Sequence, residues 1–79
     1  MTSKYKKIIY QIISKHLGLK NGVIKDYTNL LELNRWDSLT KLRILIEIEK
    51  KLNFKIPINK IENIKDPSEL LKLIIKIKN

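Results

Sequence analysis

Residues 36–52 read WDSLTKLRILIEIEKKL, and the fold predicted for the 79-residue chain rests first on this stretch. Asp37 is a residue type that caps helix N-termini, and leucine and isoleucine recur after it once per helical turn. Asn53 is suited to ending the helix. A helix is therefore predicted from Ser38 to about Leu52. The positions that give its period are Leu39, Leu42, Leu45 or Ile46, and Ile48 or Glu49.

The chain before this helix contains another helical pattern and then a long connection. Isoleucines recur at helical spacing between Ile9 and Ile13, and Gly18 can stop a helix, so a first helix is predicted from about Ser3 to Leu17. Residues 19–37 form the connection. Loops of this length in small domains tend to be functional.

The clearest helix start is Asp66–Pro67–Ser68–Glu69, with an N-cap aspartate, proline at the first helical position and glutamate at the third. This last helix is predicted to continue to about Lys78, and a short helical turn is expected around residues 59–63. No segment alternates apolar and polar residues as a strand does. The sequence predicts one all-α domain over residues 1–79: a small up-and-down bundle of three main helices plus one short helix, with a long loop between helices one and two.

Composition excludes several classes of function. The chain has no cysteine and one histidine, so neither a thiolate metal site nor a histidine cluster is expected. No run approaches the roughly 20 apolar residues of a membrane span, and the N-terminus does not read as a signal peptide. His16 is interpreted as a packing residue. An arrangement of Ser38, His16 and an acid stays open, but no nucleophile-elbow glycines flank the serine.

The formal net charge of +9 is concentrated at the two ends of the chain. Residues 1–25 contain six lysines and no acid, whereas acids and bases balance over residues 26–52. AT-rich codon usage could produce this excess, since nearly all the basic residues are lysine. The alternative is a small basic helical module that binds nucleic acid or an anionic membrane. Nucleic-acid binding is not expected, because Arg35 and Arg43 alone offer the guanidinium forks that phosphates favour.

Ser38 lies where the long loop meets a predicted helix N-terminus. The first N–H groups of a helix lack intrahelical partners, and the helix dipole places partial positive charge there. A phosphate on this serine would be stabilised by both, and the hydroxyl would be exposed at such a junction. From this motif alone, the favoured interpretation is that Asp37 and Ser38 are simple capping residues, since Asp-Ser-Leu is common by chance.

The wider sequence resembles the acyl carrier proteins along essentially its whole length. The resemblance rests on Asp37–Ser38–Leu39, Leu42, Leu45, Ile48–Glu49, Leu52, Phe54, Ile56–Pro57, Ile61, Ile64 and the capped helix start at Asp66–Pro67. It implies a covalent 4′-phosphopantetheine on Ser38, beside the family's aspartate at Asp37, with acyl or aminoacyl cargo held as thioesters. It also implies that the chain itself catalyses nothing and that it is a cytoplasmic monomer.

The resemblance further implies partners and the roles of other residues. A phosphopantetheinyl transferase would load the serine from coenzyme A with a divalent metal, and acyl-loading and acyl-transfer enzymes would use the arm. The junction departs from the family, which often has glycine two residues before the aspartate, where this chain has Arg35. Arg35 is interpreted as a partner for the arm's phosphate, and Trp36 as a loop anchor. The residues placed in the core or acyl cavity are Leu39, Leu42, Ile48, Ile56, Ile61 and Leu70. The residues placed at the docking surface are Thr40, Lys41, Arg43 and Glu47.

Two further differences from typical family members each lead to a hypothesis. Typical members have an acidic second helix, whereas this helix has four basic residues against Glu47 and Glu49. Because charge complementarity governs partner choice, we expect poor docking on housekeeping fatty-acid enzymes and a dedicated pathway instead. Ile61 and Leu70 replace alanines common in fatty-acid carriers, which leaves less internal volume and predicts short, polar or unsequestered cargo.

Overall fold

The computed structural model describes residues 2–20 and 22–78, which form three α-helices and two short 3₁₀ turns. No strand occurs within these two ranges, so the prediction of a small all-α bundle is confirmed. In chain order the elements are α1 (Thr2–Leu17), a 3₁₀ turn (Leu30–Glu32), α2 (Ser38–Leu52), a second 3₁₀ turn (Ile58–Lys60) and α3 (Pro67–Lys78).

The ends of α2 and α3 follow from local side-chain chemistry. The Asp37 carboxylate accepts a hydrogen bond from the Thr40 backbone N–H at 2.8 Å, and Asn53 ends α2 in the left-handed conformation, with φ 59°. At the start of α3, Asp66 Oδ1 accepts from the Glu69 N–H at 3.0 Å. These predicted caps are confirmed, and they account for both ends of α2 and for the start of α3.

The loop between α1 and α2 is held against the segment that leads into α3. Its 3₁₀ turn, which the sequence did not predict, buries Leu30 in the core. The Leu30 N–H donates to the Lys65 carbonyl and the Ser68 N–H donates to the Asp26 carbonyl, both at 2.9 Å. These backbone bonds fix the path by which the chain approaches Ser38.

The core is built mainly from isoleucine and leucine, and α1 packs against both α2 and α3. Full burial of one such side chain contributes about 1.5–3 kcal/mol relative to exposure. The buried apolar residues are Ile9, Ile12, Ile13, Leu17, Ile24, Leu30, Trp36, Ile44, Leu45, Ile48, Leu52, Ile56, Ile61, Ile64, Leu70 and Ile74.

The apolar face of α2 requires a correction. Leu39 and Leu42, predicted to pack in the core or an acyl cavity, are 56% and 38% exposed. The prediction is wrong for these two leucines because α2 has apolar residues on two sides, and only one side is covered by the rest of the bundle. The buried residues of α2 are Ile44, Leu45, Ile48 and Leu52. The other residues of the predicted set, Ile48, Ile56, Ile61 and Leu70, are buried.

Candidate functional site

Ser38 is the first residue of α2 and is exposed to solvent. Asp37, immediately before it, has an extended backbone, and its carboxylate accepts a hydrogen bond from the Thr40 N–H. Other N–H groups in the first turn of a helix have no intrahelical partner. The hydrogen bond from the Thr40 backbone is the main reason why the pKa of Asp37 lies below its usual value. The serine hydroxyl therefore lies at the positive end of a 15-residue helix, beside a carboxylate that stays ionised.

A cleft of about 280 Å³ opens beside the serine, between the start of α2 and the second 3₁₀ turn. Ile58 and Ile61 give it an apolar surface, and charged groups of opposite sign add a polar one. The residues that line it are Ser38, Lys41, Ile58, Ile61 and Glu62.

Trp36 joins the loop to the core just before the helix cap. Its side chain is only 8% exposed and belongs to the hydrophobic core, and its backbone N–H donates to the Leu33 carbonyl at 3.0 Å. The indole Nε1 is buried and has no hydrogen-bond partner within the described part of the chain. The Lys41 ammonium lies 5.6 Å from the centroid of the indole ring, a cation–π distance. Lys41 therefore both lines the cleft and contacts the indole ring of Trp36.

The Arg35 side chain extends toward the end of α1. A Cβ atom at Gly18 would lie 2.6 Å from Arg35 Nη1, so the guanidinium is packed directly over this glycine, whose φ is +70°. Any residue larger than glycine would force the arginine to move. The pairing of Arg35 with the phosphate of an arm on Ser38 stays a prediction.

Both glutamates of α2 are held by other parts of the chain. Glu47 Oε1 lies 2.8 Å from His16 Nε2 and 3.3 Å from Lys15 Nζ on α1. The hydrogen bond with His16 is the largest cause of the lowered pKa of Glu47. The Ile56 N–H donates to Glu49 Oε2 at 2.7 Å. The sequence did not predict these contacts: it indicated a packing role for His16 and left an arrangement with Ser38 and an acid open.

The residues predicted for docking are therefore not equivalent. Arg43 is exposed, while Thr40 and Lys41 are half-buried at the helix start. Glu47 is half-buried and bound to α1, so the structure directs its charge inward. Leu39, next to Ser38, was predicted to pack in the core, but the structure exposes it on this surface.

The part of the chain covered by residues 2–20 and 22–78 offers no group of three or more metal-binding side chains. Within the same residues, none of the helices combines the length and the apolar character needed to cross a membrane.

The sequence was compared with models of known protein families. A family model described as the phosphopantetheine attachment site matches residues 7–74 of the chain. The chain belongs to this family of carriers. The resemblance to acyl carrier proteins is thereby confirmed at the level of the family. Searches of curated proteins and of solved structures gave no match.

Membership of the family establishes the cofactor. Carrier domains of this kind hold 4′-phosphopantetheine covalently on a serine, and they are not themselves catalysts. Phosphopantetheinyl transferases and the enzymes of a biosynthetic pathway are their general partners.

Proposed function

We propose that this chain carries acyl or aminoacyl intermediates as thioesters of a 4′-phosphopantetheine arm on Ser38, and delivers them to the enzymes of a dedicated biosynthetic pathway. The observation that carries the proposal is the exposed Ser38 hydroxyl at the N-terminus of α2, in a chain of the carrier family. The proposal includes a monomeric carrier that works in the cytoplasm, and the lack of cysteine is compatible with a reducing compartment.

The choice of Ser38 is supported by the environments of the other serines in the matched region. Ser14 is 2% exposed, so its hydroxyl cannot reach an enzyme without unfolding of α1. The Ser68 hydroxyl is half-buried and donates to Asp66 Oδ1 at 2.6 Å, where it supports the cap of α3. Ser38 is exposed and borders an open cleft.

The surrounding residues suit a phosphodiester at this position. Free N–H groups and the dipole of α2 favour negative charge at its first turn. Asp37 would repel a phosphate, but its charge is partly balanced by the Thr40 N–H. Lys41, at the edge of the cleft, supplies a nearby positive charge. When bound, the arm supplies a terminal thiol that forms thioesters, while the chain holds and presents it.

Intact mass spectrometry tests the attachment site. The purified protein is incubated with coenzyme A, Mg²⁺ and a promiscuous phosphopantetheinyl transferase. We expect the parent to gain one phosphopantetheine group, the Ser38→Ala variant to gain none, and the matched Ser68→Ala variant to be modified like the parent. Modification that persists in Ser38→Ala would assign the arm to another serine. No gain with several transferases would leave Asp37 and Ser38 as helix-capping residues.

The cargo proposed is short, polar or held outside the bundle. Ile61 and Leu70 are both fully buried, so their side chains fill space that a long acyl chain would need. The thermal unfolding midpoint of acylated forms tests this, because a buried chain stabilises the fold. We expect no rise with acyl length for the parent, and a rise for the Ile61→Ala/Leu70→Ala variant, in which a cavity is opened. A parent protein that is stabilised by long chains would contradict the proposal.

The dedicated pathway is proposed because the exposed charge of α2 is opposite in sign to that of typical carriers. Arg43, Lys50 and Lys51 are exposed on this helix. Turnover of the acylated chain by a housekeeping ketosynthase, compared with a standard acidic carrier, tests the idea. We expect a rate at least about tenfold lower at low salt, since mismatched charge slows encounter. Equal turnover of the two carriers would contradict the proposal of a dedicated pathway but not the proposal that the chain is a carrier.

A further inference from the structure

An exposed apolar stripe runs along α2 from the residue after Ser38. Leu39, Leu42 and Ile46 are 56%, 38% and 42% exposed, and their spacing of three and four residues places them on one side of the helix. Ile58, also exposed, lines the cleft at the start of this stripe. Contiguous exposed apolar side chains mark interaction surfaces more often than isolated ones do.

The charge beside this stripe is positive. Arg43 and Lys50 follow Leu39 and Ile46 by one helical turn each, and both are exposed. The two acids of the helix do not balance them at the surface. Glu47 is bound to His16 and Lys15 of α1, and Glu49 accepts a hydrogen bond from the Ile56 N–H. The outward side of α2 therefore combines apolar contact area with a positive border.

We infer that α2 docks on a partner enzyme whose surface is an apolar groove bordered by acidic side chains. The inference rests on the proposed function, because an arm on Ser38 enters another enzyme's active site only if that enzyme contacts the start of α2. Apolar contact at the centre with charge at the rim is the usual anatomy of protein interfaces. Complementary charge adds speed and selectivity, since it steers encounter and rejects partners of like charge. The partner's acidic residues face Arg43 and Lys50.

A charge-swap experiment tests the inference. The probe is a bacterial phosphopantetheinyl transferase that modifies acidic carriers through a basic surface, used as the parent enzyme and with those basic residues reversed to acids. The substrates are the parent chain, the Arg43→Glu/Lys50→Glu variant, and Lys72→Glu/Lys76→Glu as a control with the same change of charge on exposed lysines of α3. The kcat/KM for modification is measured at low and high salt.

We expect the parent chain to be modified about tenfold faster by the acid-reversed enzyme than by the parent enzyme at low salt. The Arg43→Glu/Lys50→Glu variant shows the opposite preference, and the Lys72→Glu/Lys76→Glu control behaves like the parent chain. These differences shrink at high salt, because surface charges are then screened. Leu42→Ser lowers kcat/KM several-fold with both enzymes at every salt concentration, whereas Leu31→Ser, a more exposed leucine outside α2, does not.

Several results would overturn the inference. Equal kcat/KM for the parent chain and Arg43→Glu/Lys50→Glu with both enzymes would remove α2 from docking. An equal shift in the α3 control would show a response to net charge rather than to this surface. Self-association abolished by Leu42→Ser would assign the stripe to a second copy of the chain. Failure of a promiscuous transferase to modify the parent chain would instead remove the proposed function, and this inference with it.

Discussion

Trp36 is buried two residues before Ser38, the proposed attachment residue, although its indole N–H has no hydrogen-bond partner among the described residues. A buried donor without an acceptor costs about 1–3 kcal/mol, so burial of the apolar ring must exceed this cost. The residue holds the loop on the core at the point where the chain turns into the cap of α2. Its contribution to stability is therefore expected to come from ring burial and not from polar bonding.

Two substitutions of Trp36 separate the contribution of the buried ring from that of the indole N–H. Trp36→Phe removes the unpartnered N–H but keeps most of the apolar contact, so we expect a change in the free energy of unfolding within about 1 kcal/mol. Trp36→Ala leaves a cavity and is expected to cost about 3–5 kcal/mol. Urea unfolding followed by far-ultraviolet circular dichroism measures both. A loss of several kcal/mol in Trp36→Phe would show that the N–H has an acceptor after all.

Glu47 on α2 forms a side-chain contact with α1. Since the pKa of Glu47 is lowered by the hydrogen bond with His16, the unfolded chain takes up this proton more readily than the folded one. The stability that the ionised carboxylate gives is complete above its unfolded pKa, near 4.5, and is lost as the pH falls through the lower folded pKa. We expect Glu47→Gln to cost about 1 kcal/mol at pH 7.

The difference between the parent and Glu47→Gln should then shrink below pH 4.5, where the parent loses this contribution and the variant does not. Chemical unfolding at a series of pH values measures the difference, with Glu32→Gln as a control on an exposed glutamate in the loop. A difference that is constant down to pH 2 would mean that ionised Glu47 contributes nothing to the fold.

The sequence predicted where the helices begin and end better than it predicted which side of each helix is buried. The bounds of α2 and α3 were readable because Asp37, Asn53 and Asp66 act locally, within one turn of their positions. The buried side of α2 was not readable, because Leu39 and Leu42 fit a helical period as well as Ile44 and Leu45 do. Which stripe is covered depends on how the helices pack together, and helical spacing alone does not encode that packing.

Contacts between helices were beyond prediction for the same reason. His16 and Glu47 are 31 residues apart, and nothing in the spacing of either residue shows that α1 places them at 2.8 Å. Ser38 was a different case, since the family pattern around Asp37–Ser38–Leu39 pointed to it directly, and its role as the attachment residue stays a prediction. What the pattern could not show is that both glutamates of α2 are turned toward the rest of the chain.

At the scale of the whole molecule, most acids have partners within the chain while the net charge is +9. The acids with side-chain hydrogen bonds are Asp26, Asp37, Glu47, Glu49, Asp66 and Glu69. These carboxylates keep their charge, but the 17 basic residues outnumber the 8 acidic ones, so the folded surface repels itself. Self-repulsion of this kind destabilises the compact state and is weakened by salt.

We therefore expect the thermal unfolding midpoint to rise by a few degrees when NaCl is raised from about 10 mM to about 150 mM, which shortens the Debye length from about 30 Å to about 8 Å. The Lys72→Glu/Lys76→Glu variant, which lowers the net charge by four, should show a smaller rise. Differential scanning calorimetry measures both. A midpoint that falls with salt would show that surface ion pairs outweigh the repulsion.

The contact between Lys41 and Trp36 has a practical consequence. Lys41 lines the cleft beside Ser38, and its ammonium lies over the indole ring of the chain's one tryptophan. Indole fluorescence responds to charge near the ring, so a group that enters the cleft and displaces this lysine changes the emission. If the proposed arm on Ser38 enters this cleft, we expect the emission of Trp36 to report its loading and its movement into a partner in real time, without a label.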